Sequence, residues 1–298
     1  MINIETPLIS VVMITYGHEN YIEEAIKGVF NQQTNFDVEL IIANDCSPDN
    51  TDAIITEIIK EAPANIKVNY ISHRVNIGMM SNSMDAFSLA RGKYIAFCEG
   101  DDYWTNSLKL QKQIDFLEKN EDFSLSCHNA LTIYEDVTKK SHPFNKLKKS
   151  LELEPTHIVN DWVVPTASMV FRMNIIRNLP VWFTDIYSGD YTLALLNMNK
   201  GRIHFDEEIM SVYRVVFNGT SASSIYKNEM VFVYHQHIKL LTLFNEYSNF
   251  KFEKIISKKA KKLLQEIAFL EALNKSKMHA LLFEPATFIK KIFKKVIK

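Results

Sequence analysis

Residues 94–104 read YIAFCEGDDYW. A short apolar run of strand length ends in Glu99, Gly100, Asp101 and Asp102, and an aromatic pair follows. Three carboxylates within four residues repel one another, more so in a cleft shielded from water. Something positive is needed there, and a hard divalent cation with oxygen ligands meets the need: Mg²⁺ or Mn²⁺ takes one or two carboxylates and completes its shell with phosphate and water. The simpler alternative is a solvated acidic turn that caps the following helix.

The surrounding sequence repeats the same plan. LISVVMITY at 8–16 and VELIIA at 38–43 are apolar, β-branched runs of the kind that form strands buried on both faces. Helical spacing covers 19–31, about 51–62 and 79–91, with a further strand at 67–72 (KVNYIS). Strand–helix alternation with short connections predicts an α/β fold with a mostly parallel sheet and helices on both faces. In such sheets ligands bind beyond the carboxyl ends of the strands. The polar clusters at 15–19, 44–49, 73–78 and 99–102 all fall there and are expected to line one cleft. Past 105 the alternation loosens. A helix is expected over LKLQKQIDFLEKN (108–120), strands at 123–134, 166–172 and 209–216, a mobile Lys-rich loop at 137–160, a helix at 188–200, and helices from about 226 onward.

Together these segments resemble the family 2 glycosyltransferases, which have the GT-A fold. The resembling stretches are ISVVMITYGHENYIEEAIKGVFNQ (9–32), VELIIANDCSPDNT (38–51), NIG (76–78), ARGKYIAFCEGDDYW (90–104), SGDYTLALLNMNKG (188–201) and SVYR (211–214). The resemblance covers about residues 7–220. It implies an inverting, metal-dependent transfer of a sugar from a nucleotide donor, here a UDP-sugar, to a glycan or lipid-linked acceptor at the cell surface. It implies that Thr15, Tyr16 and Glu19 line the nucleotide pocket, that Asp45 accepts a hydrogen bond from the base, and that Asn76 and Gly78 hold the ribose-phosphate side. Asp101 and Asp102 match the DxD-type motif that binds Mn²⁺ or Mg²⁺ and the diphosphate. Asp190 matches the catalytic base, and Tyr213 with Arg214 the segment that closes over the donor phosphates. Three positions depart from the pattern: Glu99 for a first Asp, Asn44 for an Asp before Asp45, and Val216 near a common His.

For the acceptor, Trp104, Trp162 and, less directly, Trp182 are candidate sugar-stacking platforms, with core packing as the alternative; Thr166 and Ser168 are candidate polar lining, with strand residues that satisfy each other as the alternative. The His residues are expected to be surface or packing groups, His73 near the cleft excepted. The expected organisation is a GT-A domain over 1–222, with a nucleotide half at 7–104 and an acceptor half at 105–222, followed by a helical extension over 223–298.

Bulk properties narrow the alternatives. The chain has 298 residues, a net charge of −1 and only 8 Gly and 8 Pro, which argues against a nucleic-acid binder or a disordered chain. Cys46, Cys98 and Cys127 form no CxxC and read as reduced packing residues. No basic leader and no run of about 20 apolar residues is present, so a cytoplasmic protein is expected. The charge is uneven, however. Residues 251–298 hold 13 Lys, four Glu and no Asp or Arg, a net +9, so residues 1–250 carry −10. At about 100° per residue, Phe288, Ile289, Ile292, Phe293, Val296 and Ile297 fall on one half of a helix and five Lys on the other. Such a helix at 285–298 suits an anionic membrane surface, here the inner face of the plasma membrane. Two rivals remain: a non-catalytic nucleotide- or sugar-binding domain that docks on membranes, and a sugar-nucleotide pyrophosphorylase. The second needs a Gly-rich phosphate loop after the first strand, where this chain has TYGHENY with one Gly.

Overall fold

Uninterrupted apolar runs become the centre of the sheet. The computed structural model describes residues 6–136, 138–147, 149–216 and 229–283. The basic helix expected at 285–298 and the domain boundary expected at 222 lie outside the described residues. β1 (Ile9–Thr15) and β2 (Val38–Asn44) are buried at every position. They pair in parallel with each other, β2 with β3 (Ile66–Ser72), and β1 with β4 (Tyr94–Phe97). Beyond β4 the sheet order continues through β9 (Val170–Arg172), β6 (Phe123–Tyr134), β10 (Arg202–Val215) and β5 (Tyr103–Trp104). β9 is antiparallel to both neighbours, β6 and β10 are parallel, and β5 is antiparallel to β10. The fold is α/β with a mostly parallel sheet, as expected.

Side chains alternate across β1 and divide the core into two layers. Val11 and Met13 pack with α1 (Ile22–Phe30), α2 (Thr51–Ile58) and α4 (Lys109–Lys119). Val12 and Ile14 belong to the opposite layer with α3 (Met79–Leu89) and α7 (Gly189–Lys200). The apolar stripe of α1, Ile22, Ala25, Ile26 and Val29, is wholly buried, while Glu23 and Glu24 sit in its first turn where the helix dipole favours anions. The second layer also takes Leu240, Leu241 and Phe244 of α8 (Met230–Tyr247) and Ile256 and Leu263 of α9 (Glu253–Phe283). The two C-terminal helices are therefore welded to the same core as the sheet. Among the described residues no helix is long and apolar enough to cross a membrane.

Three expectations need correction. Residues 137–160 are not one mobile loop. They carry β7 (His142–Pro143), β8 (Leu151–Glu152) and α5 (Pro155–Asn160), the last started by Pro155 and a capping box between Glu154 and His157. Asn145 ties this segment down: its N–H donates to Asn129 Oδ1 at 2.9 Å and its amide donates to Val163 O at 2.6 Å. The strand expected at 166–172 is a 3-10 turn at Thr166–Ser168 followed by the three-residue β9. The strand expected at 209–216 begins seven residues earlier, at Arg202. Asp206, Glu207 and Glu208 interrupt its apolar pattern, and the pairing with β6 shifts register between Asp206 and Ile209 as a bulge does.

Candidate active site

The loops after β1, β2, β3 and β4 meet at the carboxyl edge of the sheet. Gly17 N–H donates to Ser47 Oγ at 3.0 Å, His18 N–H to Thr51 Oγ1 at 2.9 Å and Glu19 N–H to Asp49 Oδ2 at 3.0 Å. Glu19 Oε2 in turn accepts Asn50 N–H at 3.0 Å, so Glu19 locks two of the loops together. Asp45 is buried, and its two oxygens accept the N–H groups of Ile77 and Gly78 at 2.7 and 2.9 Å. Asn76 returns its amide to Asp45 O at 3.3 Å. Gly78 has φ +88, a conformation that L side chains rarely adopt. Asn44 holds the same turn, accepting from Ser47 N–H at 3.0 Å and donating to Tyr70 Oη at 3.0 Å. Thr15 is buried beneath His18, with Oγ1 3.1 Å from Nδ1, while Tyr16 is exposed.

The turn after β4 brings the carboxylates into this cleft. Asp102 is 2% exposed. Its Oδ1 accepts Arg214 N–H at 2.8 Å, but its Oδ2 is buried with no partner. Burial and the neighbouring Asp101 charge push its carboxyl well above the usual carboxylate range, and Arg214 only partly offsets this. Burial also drives Glu99 well up, reinforced by the charges of Asp101, Asp102 and Asp190. His18 Nε2 lies 3.9 Å from Asp101 Oδ2. A divalent cation fits this donor set, because it would relieve the repulsion and occupy the unpartnered Asp102 Oδ2. Among the described residues no three His, Cys, Asp or Glu side chains are grouped to hold a metal unaided.

Arg214 is pinned to this turn. Its Nη1 donates to Asp101 O at 2.8 Å, its Nη2 pairs with Glu24, and its guanidinium lies over the rings of Tyr21 and Tyr103 at 5.0 and 4.7 Å. Gly100 is required by close approach. A Cβ there would lie 2.7 Å from Thr15 Oγ1 and 2.9 Å from His18 Nδ1. Gly100→Ala is expected to push the first loop off the carboxylate turn. The cost should be about 1–3 kcal/mol of stability, together with weaker nucleotide binding. Thermal melts and nucleotide titration of the variant check both.

Asp190 opens α7 in its first turn, where the dipole favours an anion. Its Oδ1 accepts Tyr191 N–H at 2.7 Å and its Oδ2 accepts the Thr166 hydroxyl at 3.2 Å. Burial raises its pKa, opposed by these bonds and by Trp162. A space of about 10 Å³, room for one water, lies between Asp190, Asp161, Trp162 and Tyr191. Trp162 is 46% exposed beside it and meets Phe144 and Tyr213 edge-on, with ring centroids at 5.3 and 5.7 Å.

Two acceptor expectations fail on burial. Trp104 is 4% exposed, donates Nε1–H to Ala167 O at 2.8 Å and carries Lys109 Nζ 4.0 Å from its ring centre. It is a core residue and offers no face to a sugar. Ser168 is fully buried, and its hydroxyl donates to Pro165 O at 2.6 Å. Val216 is buried as well, and Trp182 packs edge-on to Tyr247. Three neighbours of the cleft escaped the sequence reading. His18 was signalled only by its place in TYGHENY. Phe144 was hidden in a stretch read as loop, and His237 lies far along the chain.

A family model for glycosyl transferase family 2 matches residues 10–179. The chain belongs to glycosyl transferase family 2. An uncharacterized glycosyltransferase of Methanocaldococcus jannaschii is 30% identical over 239 residues, 77% of this chain and 78% of that protein. An uncharacterized Mycobacterium bovis protein is 37% identical over 206 residues, 69% of this chain; the chain spans only 58% of its length. A putative teichuronic acid biosynthesis glycosyltransferase, TuaG of Bacillus subtilis, is 31% identical over 140 residues, 47% of this chain and 52% of that protein. Among solved structures, S. aureus TarS in complex with UDP-GlcNAc superposes with a TM-score of 0.58 at 19% identity, over 78% of this chain and 66% of that one. The mannosyltransferase PcManGT from Pyrobaculum calidifontis, in complex with GDP-Man and Mn²⁺, superposes with a TM-score of 0.59 at 13% identity, over 99% and 86%. These likenesses give the family 2 chain its fold, GT-A.

Proposed function

We propose that this chain moves a hexosyl or N-acetylhexosaminyl group from a nucleotide donor, a UDP-sugar, to a hydroxyl of a glycan or lipid-linked saccharide, with inversion at the anomeric carbon. One observation carries the reading: Asp102 is buried at the carboxyl edge of the sheet, where the loops after β1, β2, β3 and β4 meet, with Oδ1 on Arg214 N–H and Oδ2 unpartnered. The donor side is Thr15, Tyr16, Glu19, Asp45, Asn76, Gly78 and Arg214. Asp45 can accept an imide N–H of uracil with lone pairs left over from its two amide bonds. The UDP-GlcNAc in the TarS complex and the GDP-Man and Mn²⁺ in the PcManGT complex lend support to a nucleotide-sugar donor. TuaG lends support to a surface-polysaccharide acceptor.

Asp101 and Asp102 are the residues that would hold Mn²⁺ or Mg²⁺. When bound, the cation supplies positive charge that stabilises the departing nucleoside diphosphate. Asp190 takes the proton of the acceptor hydroxyl. Desolvation raises its basicity, while Thr166 and Tyr191 N–H fix the carboxylate's direction. Trp162 gives the acceptor sugar an apolar face to lie on. The transferase domain is taken as 1–222 and the helical extension as 223–298. The lysine-rich sequence of 285–298 supports peripheral contact with an anionic membrane on its cytoplasmic side.

The test is donor turnover. Purified protein with Mn²⁺ and a panel of nucleotide sugars should release one nucleoside diphosphate slowly without acceptor, and both Asp101→Ala and Asp190→Ala should lose that release. Nucleotide binding with no turnover of any donor, and no effect of either substitution, would make the chain a binding module instead.

A further inference from the structure

The segment that carries Asp190 is held along its whole length by α8. Lys239 Nζ donates to Asp185 O at 2.8 Å. The ring of Tyr187 meets Phe232 edge-on at 5.8 Å. Ser188 Oγ and His237 Nε2 are hydrogen-bonded at 3.3 Å, and the same imidazole meets the ring of Tyr191 edge-on at 5.5 Å. His237 therefore touches the residues on both sides of the Gly189–Asp190 pair. The segment that carries Trp162 is held from α9. Lys259 Nζ donates to Asn160 O at 2.5 Å and is attracted by Asp161. Tyr191 links the two segments, donating its hydroxyl to Val159 O at 2.9 Å.

We infer that His237 and Lys259 are positioning residues of the transfer centre, His237 fixing the turn that aims Asp190 and Lys259 fixing the turn that presents Trp162. The inference rests on the reading of Asp190 as base and Trp162 as acceptor platform. Polar bonds from the two C-terminal helices meet the segments that carry the proposed functional side chains, Lys239 and His237 of α8 at Asp185 and Ser188 and Lys259 of α9 at Asn160, and the His237 bond is the one adjacent to the Gly189–Asp190 pair. Burial and the Lys259 charge hold the His237 imidazole down to about 4, so it stays neutral at assay pH and its hydrogen bond does not switch with pH. A displacement of about 1 Å at a reacting group costs up to about 10²-fold in rate. Loosening either turn should therefore be visible in kinetics before it is visible in folding.

The experiment uses the full chain, four single variants, the His237→Phe/Ser188→Ala double variant and Asp190→Asn. His237→Phe keeps a ring against Tyr191 and removes the hydrogen bond; His237→Gln keeps a side-chain amide for the Ser188 hydroxyl. Ser188→Ala removes the same bond from its other end. Lys259→Met keeps the aliphatic stem and removes the ammonium. Expected for His237→Phe and Ser188→Ala is a fall in kcat of about tenfold or more, with donor KM unchanged. The double variant should be no worse than either single one, and His237→Gln should recover most of the rate. Lys259→Met should raise the acceptor KM and spare the donor KM. Wild-type kinetics in His237→Phe, Ser188→Ala and Lys259→Met would overturn the inference. So would losses that add in the double variant, or a fall in donor affinity in step with kcat. Asp190→Asn separates the two failures. If it is inactive while His237→Phe is normal, the inference alone fails; if it is fully active, the base reading fails first.

Discussion

Asp190→Asn should lower the transfer rate by about 10²–10⁴-fold and leave nucleotide affinity unchanged. The substitution is nearly isosteric. The retained carbonyl oxygen can still accept Tyr191 N–H, which lies 2.7 Å from Oδ1 in the native chain. What is lost is the lone pair that takes the acceptor proton, and an amide cannot substitute for it. The loss should appear in kcat and kcat/KM alike, because the proton moves only in the transition state. Initial rates with saturating donor, beside a nucleotide titration of the same sample, make the comparison. A fall of less than about threefold, against the general-base range quoted above, would move the base elsewhere, with Glu99 the next carboxyl in the cleft.

Asp102→Asn should abolish metal-dependent nucleotide binding and raise the stability of the ligand-free fold. The buried Asp102 carboxylate is disfavoured by desolvation and by the neighbouring Asp101 charge, and its Oδ2 has no partner to offset either. Asn keeps an oxygen for Arg214 N–H and sheds the charge. The sign with pH follows from linkage. A carboxyl whose folded pKa is raised binds its proton more tightly in the folded state. Its contribution to stability is fully present below the unfolded pKa, about 4, and is lost as pH rises through the folded value. Glu99 and Asp190 shift the same way. His128 and His237 are depressed and act oppositely, weakening the fold as pH falls below about 6.5. The variant-minus-wild-type difference therefore isolates Asp102: in EDTA it should grow from mildly acid to neutral pH. Mn²⁺ with nucleotide should stabilise the wild type and not the variant. Melting curves across pH, with and without the cation, read both effects.

The half of the chain that builds the donor cleft was legible because its central strands, β1, β2 and β4, are buried on both faces. ISVVMIT and VELIIAN have no polar alternation to confuse the period, and each ends in a polar loop that must lie at the sheet edge. The carboxylate turn was legible for the same reason: charges directly after a buried strand stand out. The second half was harder. β10 contains Asp206, Glu207 and Glu208, which a bulge accommodates and which a period-two reading rejects. The described residues of 142–160 are tied to the rest of the fold by side-chain amides such as Asn145, a device with no periodic signature. Trp104 misled because nearness to Asp102 in sequence suggested nearness to substrate, whereas β5 turns the indole into the core toward Ala167 and Lys109. Trp162, the candidate that remains exposed, sits beside Asp190 through contacts that no local pattern encodes. The bonds from His237 and Lys259 span 49 and 99 residues and could be seen only in the fold.

The most direct test of the central claim, that the carboxylate cleft is a metal–nucleotide site, is calorimetric titration of the purified chain with UDP, GDP and dTDP, each in Mn²⁺ and in EDTA. The account predicts that UDP binds in Mn²⁺, that EDTA abolishes the binding, and that Asp102→Ala loses it even in Mn²⁺. Failure of all three nucleotides to bind a folded sample would leave Glu99, Asp101 and Asp102 as an acidic turn and contradict the account.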